Sequence, residues 1–241
     1  MPMANTYADP RYAEAYAHLE FPGTYYLAFR DLPAALARHA RGPAALDFGC
    51  GAGRSTRFLR RCGFEATGVD IAEEMLRRAR EQDPAGEYRL VPDGDLGCLA
   101  DASFDVVLSA FTFDNVPTRD RKLRALRELR RVLRHDGALV NLVSSPEIYT
   151  HEWVSFSTSD FPENRRAASG DTVRIVNLAV ADPRPVEDVL WTDEAYHDVY
   201  RAAGLVAVET LRPLGRPDEP FPWVSETTIP PWAVYVLARA S

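Results

Sequence analysis

The chain reads as an α/β protein: a mostly parallel sheet with helices on both faces. Three observations predict this. Short apolar runs alternate with helical stretches from Ala44 to Val143, and a glycine turn, Gly49 to Gly53, follows the first run. The composition is that of a globular domain, with 241 residues, 46% of them hydrophobic and 26% charged. A core of that size buries about 70% of the surface the unfolded chain exposes, so neither disulfides nor a structural metal is needed.

The elements follow in order. Tyr12, Tyr16 and Leu19, then Tyr25, Tyr26, Phe29, Leu32 and Leu36, recur at helical spacing and predict two helices broken around Phe21, Pro22 and Gly23. Ala44 to Phe48 is a buried strand entering the glycine turn, and a helix follows through Phe58 and Leu59. Phe64 to Asp70 is a strand, Ala72 to Arg80 a helix, Glu87 to Val91 a strand, and Phe104 to Phe111 a strongly apolar strand. Thr118 to Leu133 is helical, with Leu123, Leu126, Leu129, Val132 and Leu133 on one side, and Ala138 to Val143 is a fifth strand. Such alternation builds βαβ units, whose ligands bind at the carboxyl ends of the strands.

After Ser145 the alternation stops, and Tyr149, His151, Trp153, Phe156, Phe161, Arg165 and Arg166 crowd the following stretch. Thr172 to Val180 and Val186 to Trp191 predict a hairpin within it. A helix starts at Thr192, runs through Tyr200 to Ala203 and closes at Gly204. Strands at Leu205 to Leu211 and Trp232 to Ala238 flank a proline-rich loop. With no internal repeat and no low-complexity linker, the expectation is one domain over 1–241: an N-terminal helical lid (1–43), a binding core (44–144), an insertion (145–191) and a closing helix with strands (192–241).

The charge balance, 28 basic against 35 acidic side chains for a net of −7, argues against nucleic acid or anionic lipid as partner. Met1 to Tyr12 lacks a basic stretch followed by an apolar run, and no run of about 18 apolar residues marks a membrane span. Cys50, Cys62 and Cys98, odd in number and without a CxxC pair, fit a reduced cytoplasmic protein. Histidines 18, 39, 135, 151 and 197 show no ligand spacing, so no metal is expected. Basic residues are almost all arginine, and Lys122 is the single lysine.

The chemistry lies in AALDFGCGAGR, Ala44 to Arg54. Glycines at 49, 51 and 53 let backbone approach a ligand, and Asp70 ends the second strand, where a carboxylate accepts both hydroxyls of a ribose. A dinucleotide fingerprint needs its third glycine at 54, which is arginine. Asp47 is expected to point its carboxylate toward the ligand cavity or the loop amides, which would repel a pyrophosphate and suit an ammonium. The combination favours a ligand with a ribose and a positive amino acid end.

On these residues the sequence resembles the class I S-adenosylmethionine-dependent methyltransferases. LDFGCGAGR is similar to the family's first motif, GVDIAEEML to its second-strand acidic motif, VPDGDL to its adenine-side loop and ASFDVVLSAF to its fourth strand. Leu129, Val132, Leu133, Asp136 and Gly137 look like the helix and turn before its fifth strand. The resemblance covers roughly Ala44 to Val143 and extends more loosely through Thr192 to Ala238. It implies a Rossmann-like sheet of seven strands, the last one antiparallel and inserted beside the fifth. It also implies that Asp47, Gly49 and Gly51 surround the methionine part of S-adenosyl-L-methionine and that Asp70 holds the ribose. Ile71 and Met75 would flank the adenine, Asp93, Gly94, Asp95 and Leu96 its other edge, and Ala110 and Phe111 the sulfonium side. The chain departs from the family after Phe111: Asp114 and Asn115 stand where many small-molecule members carry histidines.

Asp114 is read as a general base or an anchor for a substrate amine, or else as a helix cap near Thr118 or a solvated loop acid. His151 is a second candidate base, and Arg165 with Arg166 candidates for an anionic acceptor group; each also reads as a surface or packing residue. Tyr25, Phe113, Asn115 and Trp153 complete the expected acceptor surroundings. The implied reaction is in-line methyl transfer to an oxygen, nitrogen or carbon of a small metabolite. A nicotinamide-dependent oxidoreductase and a non-catalytic S-adenosylmethionine-binding regulator are the rivals. Oligomeric state is left open.

Overall fold

The protein is described by a computed structural model over residues 14–16, 18–182 and 184–240; Tyr12 of the expected first helix lies outside the described residues. In chain order the elements are α1 (Thr24–Arg30), α2 (Leu32–His39), β1 (Ala44–Phe48), α3 (Arg54–Arg61), β2 (Glu65–Asp70), α4 (Glu73–Gln82), β3 (Glu87–Leu90) and β4 (Phe104–Ala110). There follow α5 (Arg119–Val132), β5 (Leu133–Ser144), β6 (Phe156–Ser157), β7 (Thr172–Asn177), β8 (Val186–Val189), α6 (Asp193–Ala202), β9 (Leu205–Leu211) and β10 (Trp232–Arg239).

Seven strands form the main sheet in the order β3-β2-β1-β4-β5-β10-β9. The first five are parallel, and β10 lies antiparallel between β5 and β9, pairing Val234 with Leu142 and with Leu211. Helices cover both faces, so β1 and β4 carry nearly continuous apolar residues instead of an alternating pattern. One face packs Leu27, Phe29 and Leu36 of α1 and α2 with Leu59 of α3 against Val106 and Val140. The other packs Leu126, Leu129 and Val132 of α5 and Tyr196, Val199 and Tyr200 of α6 against Val107 and Leu139. Thr118 and Thr192 cap α5 and α6, accepting from the backbone N–H groups of Arg121 and Ala195.

Strand order reverses between β1 and β4, and there the connections leaving the two strands diverge and open a crevice. The glycine turn leaves β1 on this edge, and a tight turn at Thr112–Asn115 leaves β4 on the same edge. The predicted hairpin forms as β7 paired with β8, and β6 extends it to three antiparallel strands, a piece too short to show in the sequence. Strand β5 starts at Leu133, directly after α5, earlier than the sequence pattern suggests. Its stretch around Asp136 and Gly137 is taken up by a register shift against β4.

Candidate active site

The glycine turn is shaped by close approach. Gly49 has φ +72°, and a Cβ there would lie 2.2 Å from Thr112 Oγ1, which itself donates to the Phe48 carbonyl at 2.9 Å. Gly51, at φ +54°, has only the Met75 methyl within 4 Å of a built Cβ, so its backbone faces open space. Its N–H donates to Asp70 Oδ2 at 2.8 Å, and Asp70 Oδ1 accepts from the Ala72 N–H at 2.9 Å. Burial raises the Asp70 carboxyl above its ordinary range, opposed by these backbone donors. Asp70 is thereby fixed at the tip of β2 on the wall of a cavity of about 360 Å3.

That cavity continues past the end of β4. Phe111 adopts a left-handed backbone, φ 63°, uncommon for a bulky residue, which turns the chain sharply and presents its ring to the cavity. Around it the Trp232 ring lies at 4.8 Å, centroid to centroid, and that of Tyr25 at 5.7 Å; Phe156 is 5.1 Å from Tyr25. Asn177 of β7 donates to the Tyr25 hydroxyl at 3.0 Å, tying the insertion to α1. Asp114, 4% exposed, lies on the floor, where Oδ2 accepts from the Ser144 N–H at 3.1 Å and from its hydroxyl at 2.9 Å. Asp188 of β8 joins it, accepting from the Tyr149 hydroxyl at 3.1 Å. Burial first, and Asp188 second, push the Asp114 carboxyl up; burial also pushes Asp188 up and the nearby Lys122 ammonium down. Lys122 is fully enclosed in α5, donating to the Phe113 carbonyl and lying 4.8 Å from the Trp191 ring.

Of the expected cofactor residues, Gly49, Gly51, Asp70, Ile71, Met75, Asp93, Gly94, Ala110 and Phe111 line the cavity. Three do not. Asp47 is fully buried behind the turn. Its Oδ2 accepts from the Ser55 and Thr56 hydroxyls at 2.7 and 2.6 Å, so it braces the turn against α3 and faces neither the cavity nor the loop amides. Burial pushes its carboxyl up to about 6, and Oδ1 has no partner among the described residues. Asp95 turns back to accept from the Gly97 N–H at 2.7 Å, and Leu96 is a core residue beside α5.

Of the acceptor-side candidates, Tyr25, Asp114 and Asn115 line the cavity. Asp114 is not the helix cap, which is Thr118, nor a solvated acid. Phe113 points away into the core, its ring tilted against that of Phe48 at 6.0 Å. Trp153 is buried, its indole N–H donating to the Ile148 carbonyl at 2.8 Å. His151 and Arg165 lie on a separate concavity with Thr158 and Phe161, and Arg166 is exposed outside both. None of the three, His151, Arg165 and Arg166, lines the main cavity. Asp188, Ser144 and Trp232 also line the cavity and were not expected there; the place of Asp188 in the strand Val186–Val189 is the one sequence signal for it.

A doubly wound sheet with a glycine turn after β1 and an acid ending β2 defines a nucleoside-binding enzyme domain, and residues 46–141 match the family model described as a methyltransferase domain. Together with the relatives that follow, this match supports a class I S-adenosylmethionine-dependent methyltransferase of the small-molecule type. It is 29% identical over 206 residues to N-demethylindolmycin N-methyltransferase of Streptomyces griseus, covering 83% of this chain and 85% of that one. It is 37% identical over 109 residues to malonyl-[acyl-carrier protein] O-methyltransferase of Pseudescherichia vulneris, 45% of this chain and 42% of that enzyme. In structure it is similar to 1,6-didemethyltoxoflavin-N1-methyltransferase of Burkholderia thailandensis, solved with 1,6-didemethyltoxoflavin and S-adenosylhomocysteine. There the TM-score is 0.55 at 21% identity, over 89% of this chain and 79% of that one.

Proposed function

We propose that this enzyme methylates a small metabolite held in the aromatic chamber, with the cofactor against the glycine turn. The carrying observation is continuity: one cavity runs from Gly51 and Asp70 to Phe111, Trp232 and Asp114. The residues present fit the cofactor, since bare backbone at Gly51 and a fixed carboxylate at Asp70 leave room and acceptors for a ribosyl amino acid. S-adenosylmethionine bound there supplies an electrophilic methyl group on sulfur.

In this reading Asp70 accepts the ribose hydroxyls, and Gly49 and Gly51 present backbone to the methionine part. Ile71 and Met75 cover one adenine face, with Asp93 and Gly94 at its edge. Ala110 and Phe111 bound the sulfonium side. Asp47 acts through the turn it braces. Tyr25, Phe156 and Trp232 exclude water and hold the acceptor in line, a proximity effect worth about 7 to 11 kcal/mol. Asp114, its carboxyl raised by burial, takes a proton near neutral pH. Arg54 fills the position a dinucleotide site gives to glycine, its guanidinium 4.8 Å from the Tyr25 ring, which disfavours an oxidoreductase. Among the described residues no helix is long and apolar enough to cross a membrane. The three unpaired thiols suit the reducing cytoplasm.

The test is calorimetric titration with S-adenosylmethionine, S-adenosylhomocysteine and NAD. Micromolar binding of the two sulfur nucleosides alone is expected, weakened at least about tenfold by Asp70→Ala. Binding of NAD alone, or unchanged affinity in Asp70→Ala, overturns the assignment.

A further inference from the structure

We propose that the methyl acceptor is a primary or secondary amine, bound as its ammonium ion between Asp188 and Asp114 beneath the aromatic rings. The inference rests on the methyltransferase reading of the same cavity and adds the chemistry of its second substrate.

Asp188 is more than nine-tenths buried and lines the cavity. One of its carboxylate oxygens accepts from the Tyr149 hydroxyl, and the other accepts no hydrogen bond among the described residues. Asp114, bound on one side by Ser144, shares the floor. The cation interacting with both, Lys122, is committed elsewhere: its ammonium donates to the Phe113 carbonyl and lies over the Trp191 and Tyr196 rings at 4.8 and 5.6 Å. The two cations of the cavity wall are engaged away from the floor. Arg121 is 3.6 Å from Asp93, and Arg54 donates to the Glu20 carbonyl at 2.8 Å. In their ionised forms the two carboxylates outnumber the one ammonium, leaving an excess negative charge in an apolar chamber. A ligand ammonium neutralises it and supplies the missing donor to Asp188, whereas a carboxylate or phosphate acceptor meets like charge. The Phe156 and Trp232 rings add faces that attract an ammonium and its N-methylated product alike, whereas Tyr25 and Phe111 already lie beside the Arg54 guanidinium, at 4.8 and 5.8 Å.

The chemistry balances without a further reagent. The bound ammonium gives one proton to a floor carboxylate, freeing the nitrogen lone pair. That pair forms the N–C bond as the C–S bond breaks, and the C–S electron pair stays on sulfur as a neutral thioether. The product leaves as an N-methylammonium ion, and the carboxyl returns its proton to solvent.

The test uses the full chain loaded with S-adenosylhomocysteine, whose own binding is measured first; failure there removes the methyltransferase reading and not only the amine. Matched probes follow: 2-phenylethylamine, 2-phenylethanol and phenylacetate, with tryptamine, tryptophol and indole-3-acetate as a larger set, read by tryptophan fluorescence and calorimetry. The amines are expected to bind at least about tenfold tighter than their alcohols and acids. Asp188→Asn should bring the amine down to the alcohol's level with S-adenosylhomocysteine affinity unchanged. Alcohols or acids binding as well as amines, no probe binding to the loaded protein at millimolar concentration, or undiminished amine binding in Asp188→Asn each overturns the proposal. The wild-type comparison decides alone if that variant does not fold.

Discussion

Gly49→Ala puts the glycine turn under a defined load. A Cβ at this position lies 2.2 Å from Thr112 Oγ1 and 2.4 Å from its Cγ2, so Thr112 has to move, giving up its bond to the Phe48 carbonyl. The left-handed backbone at φ +72° adds strain for any side chain. A left-handed alanine costs about 1 to 2 kcal/mol, the lost hydrogen bond about 1 and the overpacking about 1 to 3, so the sum is about 3 to 6 kcal/mol. That is a large share of a domain's ordinary stability. Equilibrium urea unfolding of wild type, Gly49→Ala, Thr112→Gly and the double variant separates the contributions. The double variant should be more stable than the sum of the singles implies, by about 2 to 4 kcal/mol, because the clash is gone and the Thr112 hydrogen bond is lost once instead of twice, while the backbone strain remains. A loss below about 1 kcal/mol in Gly49→Ala, or additivity within about 0.5, refutes the steric account.

Burial raises Asp47 from 3.8 to about 6, so the native state holds its proton more tightly than the unfolded chain. The associated stability is present in full below the unfolded value and is lost as pH rises through the native one, about 3 kcal/mol in all; Asp47→Asn should make the fall in urea midpoint over that window shallower. Asp114→Asn should lower kcat by about 10²- to 10⁴-fold with cofactor affinity unchanged, since its contacts are to Ser144 at the far end of the cavity from Asp70; full turnover removes the base. His151→Ala should leave kcat and KM at wild-type values, because that ring belongs to a different concavity; a fall in kcat would mean the insertion moves to bring it in.

The glycine-turn end of the cavity is legible in the sequence because its determinants are local. A strand, a glycine turn and an acid at the next strand's tip occur together within Ala44 to Asp70, and short-range backbone geometry fixes where they go. The far end, around Asp114 and Trp232, is not, because it is assembled from segments far apart in the chain. Asp188 arrives on β8, where Val-Glu-Asp-Val reads as any half-exposed strand. Lys122 looks like a solvated charge in Arg-Asp-Arg-Lys, and only the docking of α5 against Trp191 and Tyr196 buries it. Phe113 and Trp153 show that local pattern identifies an apolar side chain without saying which side of a turn it takes. The direction of Asp47 is not legible either, since the hydroxyls of Ser55 and Thr56 that capture it belong to the next helix.

The enclosure of Lys122 has a practical consequence for following this protein in solution. It is the chain's single lysine, and every other basic side chain apart from the histidines is a guanidinium, which acylating reagents leave untouched at neutral pH. The folded surface therefore offers such reagents no lysine ε-amine. Acylation at position 122 registers only when the packing around Lys122 opens, so its rate follows that opening without any engineered label.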